Sequence, residues 1–225
     1  MTDPFPSILR TGAPTASAAN GDRAAVAAVV WDIGRVLVRW SIRALYEQLI
    51  EDPAELDWFL HHVVTENWHF QHDEGRPLAD MIAELSAQFP AYRPQIEAYG
   101  SRWLETVPGP VSGTHELVAE LAANAVPQYC ITNFGVDTFA MFRPTFPVLD
   151  HFRDIVVSGA EKLAKPDAAI FALAERRFGH DPSQMLFIDD NVANIAAASE
   201  RGWHVHHFEG DAAALRADLS ARGLV

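Results

Sequence analysis

The sequence predicts an α/β protein, a doubly wound parallel sheet with a small helical domain inserted in it. Three observations predict this. Apolar runs of strand length recur along the chain. Amphipathic helical patterns alternate with them. One interval of 67 residues breaks the alternation and holds helical patterns alone.

The first run, AAVAAVVW (24–31), is continuous and rich in Val, as expected of a strand buried on both faces. It ends at Asp32. VPQYCIT (126–132) ends at Thr132 and Asn133, DIVVS (154–158) ends at a glycine, and MLFID (185–189) ends in the acids Asp189 and Asp190. WHVHHF (203–208) is a fifth strand and follows Arg201-Gly202, a helix-ending pair.

The helical patterns lie between the strands. THELVAELAANA (114–125) puts Leu117, Val118 and Leu121 on one face, with Thr114 as its expected N-cap. PDAAIFALAERRFG (166–179) opens with Pro166 at the first helical position and closes with Gly179. VANIAAASERG (192–202) closes with Gly202. Strand and helix alternate, which a parallel sheet with right-handed crossovers requires.

The exceptional interval runs from 42 to 108. IRALYEQLI, AELDWFLHHVVTENW, PLADMIAELSAQF and RPQIEAYGSRWLETV all read as helix, with breakers at Asp52-Pro53, Asp73 to Pro77 and Phe89-Pro90. Pro108-Gly-Pro marks the return to the sheet. The expected organisation is a mobile tail over 1–22, a core domain over 23–41 and 109–225, and a helical insertion over 42–108.

Composition narrows the function. Thirty acidic residues against 17 basic ones argue against nucleic acid and anionic membrane surfaces as partners. The single cysteine, Cys130, excludes a disulfide framework and a multi-cysteine metal site, and its place in a buried strand makes it an inert core thiol. No run reaches the length of a membrane span, and the N-terminus lacks a basic start and an apolar core. A cytoplasmic location is the expectation.

In an open α/β sheet, ligands bind beyond the carboxyl ends of the strands. Here those ends carry Asp32, Thr132-Asn133 and Asp189-Asp190, and Lys165 precedes the helix after the third strand. Asp32 is placed to act as a nucleophile. Asp189 and Asp190 supply the hard oxygen ligands that Mg²⁺ prefers. Thr132 and Asn133 offer donors to phosphate oxygens, and Lys165 a cationic anchor.

VVWDIGRVLV, ITN, KPD and FIDDN together resemble the four motifs of the haloacid dehalogenase-like (HAD) hydrolase superfamily. The resemblance extends from about Ala25 to the C-terminus, and the helical insertion is similar to that superfamily's small C1-type cap. It implies a Rossmann-like core and phosphoryl transfer through Asp32. By the same resemblance Thr132 is the phosphate-binding hydroxyl, Lys165 stabilises charge, and Asp189 and Asp190 are the Mg²⁺ acids. The backbone carbonyl of Gly34 is a further metal ligand.

Gly34 departs from the pattern. Phosphatases of the superfamily carry a second aspartate there, which protonates the leaving group and then activates water. General acid–base help is worth about 10²–10⁴ in rate. Three readings follow. A phosphatase is the first, and D-x-G-[NG]-V resembles a branch of bacterial sugar-1-phosphate phosphatases. An acidic leaving group, or another group from the cap, then compensates. A metal-independent 2-haloacid dehalogenase is the second, since halide leaves without a proton. A non-catalytic phosphate binder or partner protein is the third. The doubled acid Asp189-Asp190 favours the first, because converging carboxylates repel unless a cation sits among them. The expected partner is therefore a small phosphorylated substrate.

The remaining candidates flank this set. Arg35 either reaches the substrate or, the more ordinary reading, pairs with an acid of the insertion. Trp40 lines the cleft or packs beneath the insertion. TENWHFQHDEGRP (65–77) places Trp68, His69, His72, Asp73 and Arg76 close together, and Trp68 and Arg76 are its candidates for contact with substrate. Asn191 caps the following helix or joins the site, and Asn194 orients the acid–lysine cluster. HVHHF reads as an ordinary strand rather than a metal site.

Overall fold

The chain enters the sheet of the computed structural model, which describes residues 25–225, with β1 (Ala28–Trp31). The tail expected over 1–22 lies outside the described residues. A two-residue β2 (Val38–Arg39) leads into five helices: α1 (Ile42–Tyr46), α2 (Pro53–His62), α3 (Glu66–Asp73), α4 (Leu78–Gln88) and α5 (Arg93–Ser101). The chain returns through β3 (Gly109–Pro110), which pairs antiparallel with β2. Beyond it come α6 (Thr114–Ala123), β4 (Gln128–Thr132), α7 (Val136–Phe142), β5 (Ile155–Val157), α8 (Ser158–Glu161) and α9 (Ala168–Phe178). The last elements are β6 (Met185–Asp189), α10 (Val192–Glu200), β7 (His204–His207) and α11 (Ala212–Ala221).

The main sheet has the order β5-β4-β1-β6-β7, and all of its pairs are parallel. The chain moves outward to one side of β1 and then returns to the other. The reversal opens a crevice at the carboxyl end of β1, where ligands bind in such sheets. Asp32 is the next residue.

Side chains of β1 alternate between two apolar layers, as the strand period requires. Val29 and Trp31 join Leu117, Leu121, Leu215 and Leu219 of α6 and α11. Ala28 and Val30 join Ile170, Phe171 and Ala174 of α9 and Ala198 of α10. The one polar atom of Trp31 is satisfied inside: its Nε1 donates to Gln128 Oε1 at 3.1 Å, and Gln128 Nε2 donates to the Val118 carbonyl at 2.9 Å.

Several element ends differ from expectation. The pattern over 54–68 is two helices, because Val63 leaves helical geometry and the Thr65 hydroxyl accepts from Trp68 N at 3.0 Å to start α3. Pro166 lies outside α9, whose N-cap is Asp167. Thr114 is inside α6, with Gly113 at the cap position, and its hydroxyl donates to the Val111 carbonyl at 3.1 Å. The pattern over 93–107 ends as a 3₁₀ turn at Trp103–Thr106. Among the described residues, no helix is long and apolar enough to cross a membrane.

The insertion shares the core of the sheet. Tyr46, Phe59, Met81, Leu85 and Tyr99 belong to the apolar cluster that contains Val29 and Trp31. The end of α3 packs closely against the sheet edge. A Cβ on Gly135 would lie 1.9 Å from the His72 ring, and one on Gly159 would lie 2.9 Å from the Phe134 carbonyl. Ser158 Oγ donates to the Asp73 carbonyl at 2.5 Å and accepts from Phe134 N at 2.9 Å. Gly135→Ala should therefore force α3 away from the sheet edge and cost about 1–3 kcal/mol, the usual range for overpacking. Urea denaturation of both proteins checks this, and an unchanged midpoint would show that the seam yields freely.

Candidate active site

Asp32 follows β1 and its N–H donates to the Ile188 carbonyl at 2.9 Å, which fixes it against β6. Lys165 comes from the turn before α9. Asn133 pins that turn: its Nδ2 donates to the Lys165 carbonyl at 2.9 Å, and its Oδ1 accepts from Lys165 N at 2.8 Å. The ammonium then reaches two carboxylates, Asp32 Oδ1 at 2.8 Å and Asp189 Oδ2 at 2.7 Å. The lysine is only 2% exposed.

Asp189 is more heavily engaged than its neighbours. Oδ1 accepts from Asn191 N at 2.8 Å and from Asn194 Nδ2 at 3.0 Å, and Oδ2 accepts from Lys165 and from Asn194 Nδ2 at 3.0 Å. Those contacts use the roughly four lone-pair directions of a carboxylate. Asn191 also caps α10 through Ala193 N at 2.8 Å, so the helix start and the acid are held by one residue. No other side chain hydrogen-bonds the Asp190 carboxylate among the described residues.

The electrostatics follow from burial. Loss of solvent raises the Asp32 carboxyl to about 7, against the pull of Lys165 and with a further push from Asp189 and Asp190. Burial also works against the Lys165 charge, yet Asp189 and Asp32 outweigh it and its pKa lies above the usual lysine range. Asp190 is raised by partial burial and by Asp189, with Arg35 and Lys165 opposing. Carboxylate oxygens of Asp32, Asp189 and Asp190 lie within 4.8 Å of one another. Three acids face one ammonium, and one of the three has no side-chain partner. That donor set fits a hard divalent cation such as Mg²⁺, which Asp32 and Asp190 could hold with Asp189 beside them.

Asp32, Lys165 and Asp190 form the floor of a cavity of about 150 Å³. Asn133, Asn191, Asn194 and Gly34 also border it. Val38, Trp40, Trp103, Val107 and Phe134 form apolar walls, and α3 contributes His69 and Asp73. Arg35 lies at the edge, where it pairs with Glu66 of α3 at 2.6 Å and sits 5.1 Å from the Trp40 ring centroid. The expected pairing with an acid of the insertion is thus present.

Other candidates lie elsewhere. Trp68 packs edge-on against Tyr99 with centroids 5.2 Å apart and does not border the cavity, because it fills the core of the insertion. Arg76 is also absent from the walls, since Gln71 and Glu84 hold its guanidinium. Thr132 is buried at the end of β4 and does not border the cavity either. Asn133 engages the Lys165 backbone, so it positions the lysine. In β7, His206 pairs with Asp218 at 3.0 Å, and His207 Nε2 lies 2.9 Å from the Asp190 carbonyl. Sequence reasoning left His69 and Asp73 without a role. Their signal was the polar residues packed into one short helix. Trp103, Val107 and Phe134 carried no signal, since nothing separates a wall aromatic from a core one.

The chain belongs to the haloacid dehalogenase-like hydrolases: the model of that family matches residues 15–202. Among curated proteins it is similar to sesquiterpene phosphatase astK of Aspergillus oryzae, 24% identical over 176 residues, which span 78% of this chain and 86% of that one. Among solved structures it resembles the HAD family enzyme bt-2542 of Bacteroides thetaiotaomicron, with a TM-score of 0.65 at 21% identity over 83% of this chain and 95% of that one. That enzyme has also been solved with magnesium and inorganic phosphate. The L-2-haloacid dehalogenase of Xanthobacter autotrophicus shares the fold, with a TM-score of 0.59 at 17% identity over 89% of this chain and 84% of that one.

The raised Asp32 carboxyl makes a prediction for metal-free protein. A group that binds its proton more tightly when folded contributes stability that is full below about pH 4 and is lost as pH rises through about 7. Asp32→Asn removes this dependence. In EDTA, the melting temperature of the variant relative to wild type should climb steadily from pH 4 to about pH 7.5. A constant difference, measured by scanning fluorimetry, would show that Asp32 is not raised.

Proposed function

We propose that the protein is a Mg²⁺-dependent phosphohydrolase that works through an aspartyl-phosphate on a small organic phosphate. The observation that carries this is the buried pair Asp32–Lys165 beside an Asp190 with no side-chain partner, all on the floor of one cavity. Lys165 holds Oδ1 of Asp32, which leaves Oδ2 as the attacking oxygen. Asp32, Asp190 and the Gly34 carbonyl would hold the metal, with Asp189 beside them as the anchor of Lys165. When bound, Mg²⁺ supplies charge neutralisation, which lets an anionic carboxylate approach phosphate. Lys165 faces the charge that develops as the phosphoryl group transfers. Asn133, Asn191 and Asn194 keep the lysine and Asp189 in place.

The insertion is read as a cap over 42–108 that selects the organic group. Val38, Trp40, Trp103, Val107 and Phe134 offer it apolar and aromatic surface. This favours an apolar or aromatic organic group over a sugar. The similarity to a sesquiterpene phosphatase supports the same direction. The dehalogenase reading is less favoured: without a cation, Asp190 and Asp189 would crowd the nucleophile with negative charge.

Inorganic phosphate release from prenyl, aryl and sugar phosphates, with Mg²⁺ and with EDTA, tests the reading. Release should need Mg²⁺, should be faster for the apolar esters, and should fall by roughly 10³-fold or more in Asp32→Asn. Metal-independent halide release from 2-haloacids, with no phosphate release, would replace this reading with the dehalogenase.

A further inference from the structure

The nucleophile has no acid two residues on, yet the cavity contains another. We propose that Asp73, delivered by α3 to the cavity that holds Asp32, is the proton donor to the leaving group and then the base that activates water. The proposal rests on the phosphohydrolase reading above.

Asp73 borders the same cavity as Asp32 and Lys165 but belongs to the insertion. It is only 5% exposed, and its Oδ1 has no hydrogen-bond partner, an unusual state for a buried carboxyl oxygen. The rest of the residue is held firmly. Its backbone carbonyl accepts from Ser158 Oγ at 2.5 Å, and its Oδ2 lies 3.4 Å from His69 Nε2. The Tyr99 hydroxyl is 2.6 Å from His69 Nδ1. With that hydroxyl donating to Nδ1, the one ring proton lies on Nε2 and faces Oδ2, so Oδ1 is the oxygen free to carry and release a proton. Burial keeps His69 neutral, lowering it to about 3, with His72 adding to the shift.

The groups around Asp73 favour a protonated resting acid. Burial raises it to about 8, with Asp32 and Glu74 adding to the rise, while the Gly135 N–H and Lys165 oppose it. Arg35, His69 and Asp190 are the other titratable groups that line the cavity, while His72 on the same helix and Tyr99 on α5 lie behind His69. The absent second aspartate is not a matter of space, since a Cβ on Gly34 would meet nothing within 4 Å. The acid is supplied from a different segment of the chain.

The steps balance. Asp32 Oδ2 bonds to phosphorus as the bond to the ester oxygen breaks, and that oxygen takes the proton of the Asp73 carboxyl and leaves as an alcohol. Asp73 is then a carboxylate. It takes a proton from water as the water oxygen bonds to phosphorus and the bond to Asp32 breaks. Inorganic phosphate leaves, Asp32 is a carboxylate again and Asp73 is protonated again.

The experiment compares benzyl phosphate, whose alkoxide needs a proton to leave, with nitrophenyl phosphate, whose anion does not. Both are assayed with Mg²⁺ on wild type and Asp73→Asn. The variant should lose about 10²–10⁴-fold in kcat/KM on benzyl phosphate and less than about tenfold on nitrophenyl phosphate. On the latter it should show a burst of nitrophenol, because the second step has lost its base. Equal losses on the two esters, the mark of a merely structural role, or undiminished hydrolysis of benzyl phosphate would overturn the proposal. Should the variant fail to fold, wild type decides: a shallow dependence of kcat/KM on leaving-group basicity supports an acid at work, and a steep one overturns it. Wild type that releases no phosphate from either ester overturns the phosphohydrolase reading and this proposal together, whereas active wild type with equal losses overturns this proposal alone.

Discussion

The ammonium of Lys165 is the contact on which the site depends. It lies at 2.8 Å from Asp32 and 2.7 Å from Asp189, almost wholly out of solvent. Buried carboxylates at the ends of adjacent strands β1 and β6 would repel one another without it. The requirement spreads outward. The lysine must come from a turn, the turn must be pinned, and Asn133 pins it with two backbone hydrogen bonds. Asp189 must not rotate away, so Asn191 and Asn194 hold its oxygens. Residues from four segments are committed to one charge balance.

The balance is incomplete by design of the site. One ammonium does not neutralise three acids, and Asp190 remains the acid without a side-chain partner. A site that binds a phosphorylated ligand through a divalent cation needs this excess of negative charge before the cation arrives. Polar and apolar roles are divided by provenance. The sheet edge contributes the charged floor. The walls come from segments at both ends of the insertion, from the Phe134 loop and from α3, so a ligand meets surface that the charged cluster does not constrain.

Much of this was legible in the sequence. Four of the five main strands appear where mostly apolar runs predicted them, because a strand buried on both faces has little room for polar residues; the fifth, the histidine-rich edge strand β7, was legible from the helix-ending Arg201-Gly202 before it. Asp32, Lys165, Asp189 and Asp190 stood out because each ended a strand or opened a helix in the right order. The pairing of β2 with β3 was not legible, since two residues per strand carry no alternation. The break at Val63–Thr65 was masked by an apolar pattern that ran on through it. Trp68 and Arg76 sat in the right segment, but neighbours on a helix point different ways, and only packing shows that His69 and Asp73 face the cavity while Trp68 faces Tyr99. Phe134 and Trp103 are aromatic like many core residues, and their place at the cavity comes from tertiary contacts alone.

The two-residue clip of β2 and β3 has a further consequence. It brings both ends of the insertion together, with Val38 opposite Pro110 and Arg39 opposite Gly109. From the standpoint of chain entropy the insertion is one closed loop. Closing such a loop costs free energy that grows only with the logarithm of its length, about 0.6 kcal/mol for each doubling. Helices can thus be gained or lost between the clipped ends with little penalty to the sheet beneath. A lineage can exchange the chamber above the acidic cluster while the strands that place Asp32 and Asp189 keep their register.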